Sequence, residues 1–141
     1  MPGAGIILTA LHPKDNKVYY FVQYVPSRKW IEDFGGIKEP GDSFIETAVN
    51  EFLQETNNGM KFTKHKLHRM LSTTGIELKI NNNRYHLFIV PVESEYLEYK
   101  PEDFGYFEVY ESIPRLCMWL TKKEILEIGV HPRCKDFFTF I

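Results

Sequence analysis

Between Glu39 and Met60 the chain carries the carboxylates Glu39, Asp42, Glu46, Glu51 and Glu55 and no Lys, Arg or His. The chain as a whole sets 17 Lys and Arg against 19 Asp and Glu, so this stretch is a local field of one sign. Glu51 and Glu55 are separated by one helical turn. On a helix, like charges at that spacing cost ~0.2–0.5 kcal/mol. An anion in the last turn adds ~0.3–1 kcal/mol against the helix dipole. A divalent cation between the two carboxylates would reverse the sign of both terms. At ~100° per residue they project within about 40° of each other. They border the apolar stripe, where partial desolvation suits oxygen ligands for Mg²⁺ or Mn²⁺. Spacing alone also allows a solvated acidic face.

The element that must position them is a helix over Ser43 to Thr56. Ser43 with Glu46 forms a capping box. Ile45, Ala48, Val49, Phe52 and Leu53 make the apolar stripe, and Thr47, Asn50 and Gln54 take the polar side. Asn57-Asn58-Gly59 ends it. Phe34-Gly35-Gly36 and Glu39-Pro40-Gly41-Asp42 form a turn-rich approach.

Around this helix the pattern predicts strands at Ala4 to Ala10 and Lys17 to Val25, joined by a turn at His12 to Asn16. Pro26 to Trp30 reads as a polar loop. Lys66 to Ile80 reads as one or two strands, Tyr85 to Val92 as a strong strand, and Gly105 to Glu111 as a further one. Thr121 to Ile128 is a short helix capped by Thr121 and Glu124. Arg133 to Ile141 is an aromatic-rich helix or turn. The order implies an α/β (α+β) domain with a mixed sheet packed between helices, filling residues 1–141 as a single domain.

These residues resemble the Nudix family. Its box reads Gly, five residues, Glu, seven residues, then Arg-Glu-apolar-x-Glu-Glu-x-Gly-apolar. Here Gly36 is followed at the same intervals by Asp42 and by Asn50-Glu51-Phe52-Leu53-Gln54-Glu55-Thr56-Asn57. Gly35, the Glu39-Pro40-Gly41-Asp42-Ser43 run, Ala48, Thr56 and the late Trp119 with Lys122-Lys123-Glu124 are similar to family choices, so the likeness spans most of the chain. The chain departs from the box at Asp42, Asn50, Gln54 and Asn57, which stand where the family has Glu, Arg, Glu and Gly. The resemblance implies the Nudix fold and a metal-dependent pyrophosphohydrolase cleaving a nucleoside diphosphate linked to another group. It implies metal ligation by Glu51, Glu55 and the Gly36 backbone carbonyl, with Glu51 also able to act as base. The metal expected is Mg²⁺ or Mn²⁺, in a site with fewer metals and weaker affinity than the full box gives. The alternative is a catalytically silent Nudix-fold module that binds nucleotide, RNA or protein.

Outside the box, Glu111 is the first candidate for a loop base, with Glu108 and Glu93 behind it. Trp30 and Phe34 are candidates to stack on a base, Arg28 and Lys29 to meet phosphate, and Gln54 to offer a carbonyl oxygen to substrate. Packing is the competing role for the two aromatics. The basic segment Lys61, Lys64, His65, Lys66, His68 and Arg69 is either a tract for RNA or polyphosphate or a solvated edge. The expected partner is a nucleotide-derived small molecule or an RNA 5′ end. Monomer and homodimer both remain open.

Composition sets the outer bounds. With 141 residues, 43% of them hydrophobic, the chain suffices for one folded core. A net charge of −2 gives no global pull toward nucleic acid or anionic lipid. No apolar run approaches the ~20 residues of a membrane span, and Met1 to Gly5 lacks the basic start of a signal peptide. The cytoplasm is therefore the expected compartment. Cys117 and Cys134 lack CxxC or zinc spacing and are expected to be reduced, buried thiols.

Overall fold

The apolar run at the N-terminus is the middle of the sheet. A computed structural model describes residues 1–108 and 112–141. In it β1 (Gly3–Leu11) is buried along nearly its whole length. Beside β1, on one edge, run β2 (Val18–Val25) and β4 (Phe34–Ile37), both antiparallel to it. On its other edge runs β6 (Tyr85–Pro91), parallel. Strands buried on both faces read as continuous apolar runs, which is why these two have so little polar alternation. The order across the sheet is β3 (Trp30–Glu32), β2, β1, β6 and β5 (Ile76–Ile80), with β7 (Leu116–Thr121) pairing antiparallel to β2.

Successive β1 side chains point to opposite faces. Ala4, Ile6 and Leu8 join a core with Ala48, Val49 and Phe52 of α1 (Phe44–Glu55) and Leu67 and Leu71 of α2 (Lys64–Thr73). Ile7 joins a second core with Ile125 of α3 (Lys122–Ile128) and Cys134 and Phe138 of α4 (Pro132–Phe140). The expected mixed sheet between helices is what forms.

Both capping boxes are present, Ser43 with Glu46 and Thr121 with Glu124. Three expectations change. The approach read as loop and turn carries two short strands, β3 and β4. Lys66 to Ile80 is not all strand: a helix begins at Lys64, where the Thr63 hydroxyl accepts the Lys66 N–H. Leu67 and Leu71 lie one turn apart and go inward, while Lys64, His65, Lys66, His68 and Arg69 are exposed. The strand starts only at Ile76. Thr47, assigned to the polar side of α1, is buried and returns its hydroxyl to the Ser43 carbonyl at 3.0 Å. Gly105 to Glu111 falls partly outside the described residues; within them Phe107 makes a single bridge to Pro114.

Candidate functional site

Glu55 closes α1 and is where the site's electrostatics converge. Its Oε1 is buried and has no hydrogen-bond partner. Burial drives its carboxyl well above the ordinary value of 4.5. The neighbouring carboxylates Glu51, Asp33 and Glu108 push the same way, and the Gln23 side chain offsets them weakly.

Gly36 is brought to Glu51 by β4, which places it opposite Ala4 in the ladder. A side chain at Gly36 would run into the Glu51 carboxylate, its first carbon lying 2.6 Å from the carboxyl carbon. The Gly36 carbonyl oxygen lies against Gly3 of β1, where an added methyl would approach it to 2.6 Å. The residue thus serves Glu51 by leaving space, a duty that stands beside the carbonyl ligand implied by the family resemblance.

A cation also reaches the end of α1, from outside the box. Arg115 immediately precedes β7 and is 4% exposed. Its Nε donates to the Glu55 backbone carbonyl at 2.5 Å, and the Cys117 thiol points to the same oxygen at 3.8 Å. The last turn of α1 has no basic residue of its own, so Arg115 supplies the positive charge that a helix C-terminus favours. Both its terminal nitrogens are buried and without a partner. Burial pushes the Cys117 thiol up to about 12, so it stays protonated.

A cavity of about 20 Å³ opens between these groups, with Gln23, Arg28, Glu32, Glu55, Glu108 and Arg115 in its wall. That is room for one water-sized occupant. A wider surface groove, about 690 Å³ beside Lys61, Tyr96 and Tyr99, includes no box residue. Size and chemistry point to different places, and the converging carboxylates mark the candidate site.

The wall is held by a polar network beneath it. Glu32 is nearly fully buried and accepts from Arg28 Nη1 at 2.9 Å, Trp30 Nε1 at 2.8 Å and Arg133 Nη2 at 3.4 Å. Asp33 is fully buried and accepts from Arg133 Nε at 2.7 Å and the Tyr85 hydroxyl at 2.5 Å.

The residues singled out in the sequence therefore divide. Gly36, Glu51 and Glu55 come together, and Glu108 joins them from the loop before β7. Arg28 lines the cavity but spends Nη1 on Glu32. Trp30 is turned to Glu32, with its ring tilted over His131 at 4.7 Å between centroids. Phe34 is corrected to a core residue: it is fully buried, stacked on Phe21 at 5.0 Å and edge-on to Phe52, which leaves no face for a base. Gln54 is exposed and outside the cavity wall. Glu93 is also outside the wall, and Glu111 lies outside the described residues. Gln23 and Arg115 were missed. The one signal for Arg115 was a lone charge abutting the apolar run from Leu116 to Leu120.

The donor set suits a hard divalent cation: a buried, unpartnered carboxylate oxygen at Glu55 beside a second carboxylate with room cleared for it. Among the described residues no three Asp, Glu, His or Cys side chains form a complete cage. Mg²⁺ takes one or two carboxylates and completes its shell with water and phosphate, and Glu51 and Glu55 could supply those two.

No protein-family model matches the chain, and no curated protein matches it by sequence. Solved structures do match. A Caenorhabditis elegans Ap4A hydrolase binary complex superposes with a TM-score of 0.59 at 11% identity, over 97% of this chain and 92% of that one. A MutT/Nudix family protein from Listeria innocua gives 0.59 at 15% identity, over 99% and 91%. A Francisella tularensis bifunctional NMN adenylyltransferase/ADP-ribose pyrophosphatase, complexed with AMP and a Mn ion, gives 0.52 at 12% identity, over 99% of this chain and 41% of that one. The chain has the fold of the Nudix hydrolases. No helix among its described residues is long and apolar enough to cross a membrane.

Proposed function

From that fold and from the carboxylates at the end of α1, we propose that the chain is a divalent-metal-dependent pyrophosphohydrolase. Its substrate is a nucleoside diphosphate linked to a second group: a nucleotide, nucleotide sugar, dinucleotide or capped RNA. The observation that carries this reading is the buried Glu55 Oε1, unpartnered and raised in pKa beside Glu51. A carboxylate so placed is costly to the fold unless a cation meets it.

Glu51 and Glu55 would hold Mg²⁺ or Mn²⁺. A cation held there would supply charge neutralisation at the phosphate oxygens and a more acidic water. Gly36 keeps the Glu51 carboxylate where it is by leaving room for it. Gln23 favours the ionised form of Glu55. Glu108, on the cavity wall, accepts the proton of the attacking water, with Glu111 the second loop carboxylate for that duty. The Arg133–Asp33 pair holds the junction between β3 and β4 beneath them.

The test incubates the protein with Mg²⁺ or Mn²⁺ and a panel of ADP-ribose, nucleoside triphosphates, dinucleoside polyphosphates and capped RNA. Turnover is expected on one class and is expected to vanish in Glu55→Gln. A second reading, a silent binding module, is favoured by Asn50 and by the exposed, uncharged Gln54. Its mark is nucleotide or RNA binding that chelator leaves unchanged, with no turnover on any substrate; that result would overturn the enzyme reading.

A further inference from the structure

Arg115 has more donors than the fold uses. Its backbone N–H donates to the Tyr106 carbonyl at 2.8 Å and its Nε to the Glu55 carbonyl at 2.5 Å. The Nε bond orients the guanidinium at the end of α1. The two terminal nitrogens, carrying four N–H groups between them, are buried and unpartnered. They line the same small cavity as Glu55, whose Oε1 is also unpartnered. An unsatisfied buried cation is among the costlier things a fold can hold.

Glu55 and Arg115 thus face one cavity, with Glu108 also on its wall, and the unpartnered atoms of the two do not bond each other. Arg28, the other guanidinium on the wall, is committed to Glu32 at 2.9 Å. The cavity has room for one oxygen. Donors arranged as a planar fork, held rigid and still charged, match an oxyanion.

Resting on the metal-dependent reading of the same carboxylates, we infer that Arg115 is the phosphate-binding arginine of this site. Its two terminal nitrogens take an oxygen of the substrate's diphosphate on the side away from Glu51. The carboxylates hold the cation and Arg115 holds the anion, and the substrate phosphate bridges them. Asn50 has no charge to give; the guanidinium comes instead from the β7 end of the sheet. This makes Arg115 a substrate-binding residue and also the residue that ties substrate position to the last turn of α1.

Inorganic pyrophosphate is the probe, titrated calorimetrically with Mn²⁺ present and with chelator. Wild type binds it in Mn²⁺. Arg115→Gln is expected to bind it about 10- to 100-fold more weakly, the scale of a charge-assisted hydrogen bond. Arg115→Lys, which keeps the charge but not the fork, recovers only part of that loss. Mn²⁺ affinity itself is unchanged in both variants and lost in Glu55→Gln. Equal pyrophosphate affinity in wild type and Arg115→Gln, or no binding to wild type, overturns the role of Arg115. Mn²⁺ affinity indifferent to Glu55→Gln overturns the metal reading instead, so the two failures are distinct. Should Arg115→Gln not fold, the guanidinium ¹⁵N–¹H signals of Arg115 in wild type answer the same question. They shift as pyrophosphate saturates the site; signals that stay fixed while it binds mean that the cavity holds a structural water only.

Discussion

Only a hydrogen atom stands between the Gly36 Cα and the Glu51 carboxylate: a methyl there would lie 2.6 Å from its carboxyl carbon and 2.7 and 2.8 Å from its oxygens. Gly36→Ala must therefore move Glu51, since no real carbon tolerates that approach. The expected cost in stability is about 1 kcal/mol or less, because what must shift is the far end of a flexible side chain. Mn²⁺ affinity is expected to fall about 10- to 100-fold, as when a partner that orients a ligand is lost. Urea melts and Mn²⁺ titration followed by electron paramagnetic resonance measure the two effects. An alanine variant with unchanged Mn²⁺ affinity would show that Glu51 is not a ligand.

Glu55 makes metal-free stability depend on pH. Its carboxyl in the fold is well above 4.5, so the folded state holds a proton that the unfolded chain releases. That contribution is complete below about pH 4.5 and is lost as pH rises through the raised folded value. In chelator, Glu55→Gln will match wild type near pH 4 and exceed it at pH 8. Denaturation curves at the two pH values decide it, and parallel curves at both would contradict the burial described for Oε1. Added Mn²⁺ will raise wild type at pH 8 and leave the glutamine variant where it was.

Arg133 is the cation on which fully buried Asp33 depends, through Nε at 2.7 Å and Nη2 at 2.6 Å. Arg133→Leu strands that charge and is expected to cost about 3–5 kcal/mol. Adding Asp33→Asn should recover part of the loss, because the uncompensated charge goes with it. Guanidinium melts of the single and double variants test the coupling. A single-variant cost under about 1 kcal/mol would place the pair with surface ion pairs.

Asn57 occupies the box's Gly position with a left-handed φ of 50°. Its Nδ2 also donates to the Phe104 and Phe107 carbonyls, both at 2.8 Å. Asn57→Gly restores the family's residue and eases the backbone but removes two hydrogen bonds, for an expected net loss of about 1–2 kcal/mol. Asn57→Ala should lose more, since alanine adds a left-handed penalty of roughly 1–2 kcal/mol. Glycine equal to or better than wild type in thermal melts would mean that the two bonds carry nothing.

What was legible in the sequence was local. Ser43 with Glu46, the stripe from Ile45 to Leu53, and the Asn57 turn all lie within a few residues of the groups they order, so α1 and its two glutamates could be read directly. Asn57 shows the boundary: its backbone conformation was legible, its bonds to residues 104 and 107 were not. Arg115 and Gln23 reach Glu55 through the β2–β7 pairing, which no short window contains. Arg28 and Trp30 looked available because nothing in the local sequence marks Glu32, their acceptor, as a buried carboxylate. The helix α2 was hidden by its charge: only Leu67, Met70 and Leu71 carry its inward face, too short a stripe among Lys, His and Arg.

The parallel pairing of β1 with β6 sets when this protein can fold during its synthesis. β1 finds β2 and β4 early, but its second edge waits for Tyr85–Pro91, and Asp33 waits for Arg133 a hundred residues later. Until β6 has left the ribosome the nascent chain holds an apolar strand with an open edge, and until α4 follows it holds a carboxylate with no cation. Contacts this distant in sequence form slowly. The glycine-lined approach and the acidic helix are made first and become a site last, so a ribosome stalled before the final helix would present a sticky intermediate and no working centre.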